Sequence, residues 1–159
     1  MRFLIIALLA TLLTNSFYQW KYASYDFVGT QWHCSESKSG FTSEAYRHYE
    51  KVTEMTTIYF SSKDSVTYFQ SGYLKHMDGV VEPYELVMTA DNQTIGSQLK
   101  QTFKSVDWNL KPERSPLYIR DKNSLVGFKS DLRYEVDGKQ LYLFNQAGSE
   151  DVNIACRRS

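Results

Sequence analysis

The sequence predicts an all-β fold, a single antiparallel up-and-down barrel of about eight strands. Three observations carry that prediction. Apolar and polar residues alternate with period two along several segments, the pattern that sends successive side chains to opposite faces of a sheet. Turn-forming residues recur at short intervals, as in a meander of hairpins. The only two cysteines, Cys34 and Cys156, fall in the first and last strands so defined, where a bond would tie the two edges of the sheet together.

Ahead of the strands, Met1-Arg2 is followed by the apolar run Phe3 to Leu13, the layout of a secretory signal peptide. Thr14 and Ser16 suit the −3 and −1 positions of cleavage after Ser16, so residues 1–16 are read as the signal and 17–24 as an N-terminal extension. The competing reading is an uncleaved anchor with Phe17, Tyr18 and Trp20 at the membrane interface. The apolar run is about half of the roughly 20 residues a spanning helix needs, so no stable membrane span is expected. Export places the protein in a secreted or periplasmic, oxidising setting, where two cysteines allow one intramolecular bond, Cys34–Cys156. The alternative is two free buried thiols.

Residues 25–159 make one β-barrel domain, with no internal repeat, linker or low-complexity tract. The first strand runs from Phe27 to Glu36. Thr42 to Glu50 is the single helical candidate, with Thr42 or Ser43 as its N-cap. Ser61 to Asp64 separates a strand at Val52 to Phe60 from one at Ser65 to Tyr73. Asp78-Gly79 leads to Tyr84 to Thr89, and Ala90 to Gln93 forms the next turn before Thr94 to Val106. Leu117 to Arg120 is a short strand, followed by a turn at Asp121 to Ser124. From Leu125 to Val136 the alternation is clearest, with Phe128, Ser130, Leu132 and Tyr134 on one face and Lys129, Asp131, Arg133 and Glu135 on the other. Asp137-Gly138, a pair that tolerates the positive φ angles of a type I′ turn, precedes Lys139 to Asn145, and Gly148 precedes the last strand, Asp151 to Arg157. A meander of this kind leaves two open edges unless it closes, and a two-sheet sandwich is the other way to arrange it.

In the first strand, Gly29-Thr30-Gln31-Trp32 resembles the G-x-W of the lipocalin and calycin barrels. That resemblance implies an exported eight-stranded meander in which a late basic residue covers the first-strand tryptophan, a role open to Arg157 or Arg158. It also implies a cavity for a hydrophobic or amphipathic molecule, with no catalytic centre. Gly29 and Trp32 differ by an odd number, so a bulge at Thr30 or Gln31 is needed to bring them to one face.

A ligand pocket needs an inward face that is not solidly apolar. Small and polar residues interrupt such faces here: Ser97, Gln101 and Ser130 with Ile58, Leu99, Phe103, Phe128 and Tyr134 are the expected ligand-binding set, and Thr56 is a further interruption. The same small residues would also serve to fit large neighbours into the taper of a filled barrel. Equal numbers of basic and acidic residues, 18 of each, favour neither nucleic acid nor an anionic surface. His33, His48 and His76 lack metal-site spacing, and no cofactor or metal is expected. No G-x-S-x-G, H-E-x-x-H or phosphate-binding glycine loop occurs, so no enzyme activity is expected. Aromatics make up 15% of the chain, with tyrosine dominant, which also suits a second reading: a filled barrel that docks a protein partner through its outer surface or through the 107–116 segment beside Trp108. Asn92-Gln93-Thr94 is a glycosylation sequon in a predicted turn.

Overall fold

The computed structural model describes residues 11–14, 24–42, 46–115, 125–145 and 153–159. Eight strands form a closed antiparallel barrel in which each pairs with its neighbours in sequence and the last returns to the first. They are β1 (Gln31–Ser39), β2 (Tyr49–Phe60), β3 (Ser65–His76), β4 (Val81–Ile95), β5 (Gln98–Leu110), β6 (Lys129–Asp137), β7 (Gln140–Asn145) and β8 (Ile154–Arg158). The sandwich alternative is thereby removed. The β1–β8 seam is short, pairing Trp32 with Arg158, His33 with Arg157 and Cys34 with Cys156. The two cysteines are disulfide-bonded directly across it.

Several turns differ from the sequence reading, each for a backbone reason. Ala90 to Gln93 is strand, and β4 runs on to a two-residue loop at Gly96-Ser97, since Ile95 pairs with Gln98. Gly96 has φ +57° and no described non-glycine residue takes positive φ, so this is the glycine-first type II′ turn. The same holds after β6, where the loop is Gly138-Lys139 with Gly138 at +56°, rather than an Asp-Gly type I′ turn. Asp78-Gly79 does lie in the β3–β4 loop, where Gly79 (+84°) donates its amide to the His76 carbonyl.

Two strands begin in the same way. At β1, Thr30 N–H bonds the Phe27 carbonyl, Gly29 (+71°) donates to Phe60 O, and Phe60 N–H donates to Thr30 O. At β6 the corresponding set is Phe128 to Leu125, Gly127 (+84°) to Phe103, and Phe103 to Phe128. Each is a turn closed by a glycine bulge, two residues opposing one. The bulge anticipated at Thr30 is therefore present, and Leu125 to Phe128 is a turn rather than the start of a strand. Tyr46 to His48 is also a turn, leading into β2, and not part of a helix. Most of the signal region and extension, the Leu117 to Arg120 strand with its following turn, and Gly148 lie outside the described residues.

Inward side chains gather in two clusters along the barrel axis. The upper one contains Trp32, Ile58, Phe60, Val66, Leu99 and Leu141, all buried. It is capped by the chain entering β1: Phe27 stacks on Phe60 with centroids 4.6 Å apart and meets Tyr134 edge-on at 4.9 Å. The lower one contains Tyr49, Val52, Leu74, Tyr84, Leu86 and Val106, with Trp108 and Leu125 packed against it.

A strap after β5 fastens the lower end. Glu82, buried, accepts the backbone N–H groups of Glu113 and Arg114 at 3.0 and 2.9 Å and meets His76 Nε2 at 2.6 Å. Ser115 is buried and hydrogen-bonded to the Tyr49 hydroxyl, and Arg114 pairs with Asp78 at 2.6 Å.

Candidate functional site

Between the two clusters the barrel is not filled. One lobe of about 160 Å³ is lined by Thr56, Tyr68, Met88, Gln101, Phe103 and Ser130, and a second of about 200 Å³ reaches Glu36, Lys38, Phe41 and Tyr46. Glu54, Gln70 and Ile154 line both lobes, so the two adjoin. Taken together, their size falls at the lower end of that usual for small-molecule sites.

Strand alternation puts these residues inside. On β2 the inward set is Val52, Glu54, Thr56, Ile58 and Phe60, an apolar series with a carboxylate and a hydroxyl in its middle. On β5 the inward set begins on odd numbers, with Leu99, Gln101 and Phe103. It then moves to Val106 and Trp108, because Ala90 pairs with Phe103 while Thr89 pairs with Ser105, leaving Lys104 as an extra residue.

The polar groups divide into a fixed network and an open one. The Tyr68 hydroxyl donates to Gln101 Oε1 at 2.5 Å, Gln101 Nε2 donates to Asn92 Oδ1 at 3.1 Å, and Asn92 Nδ2 donates to the Lys63 carbonyl at 3.2 Å. Burial pushes the Tyr68 hydroxyl well above its ordinary pKa, against the lowering effect of Gln101, so it stays a neutral donor. This network corrects the sequon reading: Asn92 is a buried strand residue whose amide nitrogen is already engaged, not an exposed turn residue offered to a glycosylating enzyme.

The open set centres on Glu54. Its Oε1 accepts from the Thr56 hydroxyl at 2.9 Å and its Oε2 from the Tyr84 hydroxyl at 3.3 Å. Tyr84 reaches it across Gly72, which pairs with both Glu54 and Tyr84. In the second lobe, Lys38 Nζ binds Glu36 Oε2 and the Asn153 carbonyl, each at 2.8 Å.

Of the residues expected from the sequence to bind ligand, Gln101, Phe103 and Ser130 line the cavity. Ile58 and Leu99 lie in the upper cluster instead, fully buried. Tyr134 joins them, and its hydroxyl is committed, accepting from Tyr25 N–H at 2.8 Å and donating to the Gly96 carbonyl at 2.6 Å. Burial raises its pKa, against the lowering effect of the Tyr25 amide. Ser97 sits in the exposed β4–β5 turn, displaced by the longer reach of β4. Phe128 is 56% exposed at the start of β6, its ring 6.2 Å from Phe103. The sequence reading missed Glu54, Gln70 and Tyr68; extending the alternation back from Phe60 through Thr56 would have found Glu54.

Of the structural residues, Trp32 is fully buried and its Nε1 donates to Thr30 Oγ1 at 2.9 Å. Arg158 covers its ring, whereas Arg157 faces outward opposite His33. His33 is exposed, 2.9 Å from the Thr57 hydroxyl. Among the described residues, no group of three His, Cys, Asp or Glu side chains is placed to hold a metal ion, and no helix is long and apolar enough to cross a membrane.

No protein-family profile matches this chain, and no curated protein matches it. The closed eight-stranded meander is consistent with a lipocalin-like fold.

Proposed function

We propose that this protein is an exported, non-catalytic barrel, secreted or periplasmic, that binds a small amphipathic molecule in the cavity between its two clusters. The observation that carries the reading is the cavity wall itself. Met88, Phe103, Leu132 and Ile154 offer an apolar side, and Glu54, Thr56, Gln70 and Ser130 a polar one. A few convergent polar groups in an otherwise apolar pocket are what a small-molecule site needs for orientation. The disulfide supports export, since such bonds persist in oxidising compartments. The Arg158–Trp32 contact and the bulge at Gly29-Thr30 support the lipocalin-like reading.

The test is a titration with the neutral, environment-sensitive dye phenylnaphthylamine. Saturable binding by the native protein and its loss in Ser130→Phe, which places a ring in the cavity, are expected. Unchanged affinity in a correctly folded Ser130→Phe protein would overturn the proposal.

A second reading, protein docking, draws on the outer face of β2 and β3, where Met55, Tyr59, Phe69 and Tyr73 are all exposed. Trp108 does not contribute to it, being turned into the lower cluster. Capture of a partner from the exported fraction that is lost in Phe69→Ser, with dye binding intact, would favour docking.

A further inference from the structure

Resting on that reading of the cavity, we infer that its ligand carries a protonated amine, seated on Glu54. Among the described residues, three charged side chains line the cavity, Glu36, Lys38 and Glu54, and their charges do not balance. Glu36 and Lys38 satisfy each other at 2.8 Å. Glu54 is left with two neutral hydroxyl donors and, among the described residues, no cationic partner. A carboxylate drawn partly out of water without a counter-charge is costly, and a bound cation relieves that cost.

Geometry agrees with the charge count. A carboxylate has about four acceptor positions, and Thr56 and Tyr84 use one on each oxygen, so both oxygens keep capacity for an ammonium group. The two hydroxyls also hold the carboxylate, and the Tyr84 ring packs over Gly72, where a Cβ would lie 3.0 Å from its Cε1. Glu54 stands where the two lobes meet, and Met88, Phe103 and Leu132 line the lobe beyond it. A head group on Glu54 thus directs an apolar body against those side chains. The combined space suits a small aromatic body or a short alkyl chain, not a long lipid tail. A metal ion would need more ligands than this one carboxylate provides.

The experiment is isothermal titration of the full disulfide-bonded protein with three probes that share a phenethyl body: phenethylamine, phenethyl alcohol and hydrocinnamate. The amine is expected to bind about tenfold or more tightly than the alcohol, the increment of a charge-assisted hydrogen bond, with the acid weakest. Glu54→Gln is expected to bring the amine down to the level of the alcohol. Equal or tighter binding of the alcohol or the acid, or a preference for the amine that survives in Glu54→Gln, overturns the inference and leaves the carrier reading standing. If none of the three probes binds but the dye does, the amine inference falls alone. If the dye also fails, both fall. Should Glu54→Gln not fold, the ranking of the three probes on the native protein decides by itself.

Discussion

The guanidinium of Arg158 stands 6.0 Å from the ring centroid of Trp32, on the residue that pairs with that tryptophan across the β1–β8 seam. Its Nη1 also donates to the Tyr25 hydroxyl at 3.1 Å, so one side chain joins the last strand, the first strand and the segment that caps the barrel. Arg158→Ala is therefore expected to destabilise the fold by about 1 kcal/mol, the scale of an exposed cation–π contact with one hydrogen bond. Arg157→Ala, facing outward next door, should fall within about 0.5 kcal/mol of the native protein. Urea unfolding of the pair checks this; equal effects would show that the Trp32 contact contributes nothing.

Among the described residues the seam pairs three positions in register, and the disulfide occupies one of them. With its cysteines 122 positions apart in sequence, the bond removes considerable freedom from the unfolded chain, worth roughly 5 kcal/mol on the chain-entropy view. The Cys34→Ala/Cys156→Ala protein should lose much of that in urea unfolding, and hydrogen exchange in β1 and β8 should accelerate before that in β3 and β4. Uniform acceleration would mean the seam is not the weak line of the barrel.

Gly72 is required by space rather than by backbone angle. A Cβ there would lie 2.0 Å from the Thr53 carbonyl oxygen and 3.0 Å from Cε1 of Tyr84. Gly72→Ala should cost about 1–3 kcal/mol, as overpacking does, and should loosen Tyr84 from Glu54. Thermal unfolding measures the first effect, and weaker binding of phenethylamine the second. An unaltered melting temperature would contradict the tight approach of β2 to β3.

Acid should release the strap. Burial pushes the Glu82 carboxyl up, but the amides of Arg114 and Glu113 and the His76 ring outweigh it and hold its pKa below the ordinary value. A carboxyl depressed in the folded state contributes stability that is present above its unfolded pKa, about 4.3, and is lost as pH falls through the lower folded value. The urea midpoint of the native protein should drop between about pH 5 and pH 3, and Glu82→Gln should flatten that drop while lowering stability at neutral pH. Asp78, also depressed, by Arg114, acts in the same direction but its pair is exposed and screened. An identical acid profile in both proteins would rule out Glu82 as the latch.

Much of this architecture was legible in the residues. The alternation in β6 gave the correct faces because only one side of that strand is buried. The β4–β5 turn was misplaced because Asp91-Asn92-Gln93 has turn composition, while Asn92 finds its partners inside the barrel from Gln101 and Lys63. Ser97 moved out of the expected pocket with that turn. Glu54 was passed over because a carboxylate on an inward face is read as an exposed residue until its neighbours are known.

By itself, the amino-acid sequence determined that the chain is all-β, that its strands meander, and that Cys34 and Cys156 join the first to the last, since strand period, turn chemistry and sulfur pairing are local or countable properties. The tertiary structure alone decided which polar residues are tied up and which face open space. Barrel closure brings Glu54, Gln70 and Ser130 around one cavity from distant parts of the chain, and no local pattern records that convergence.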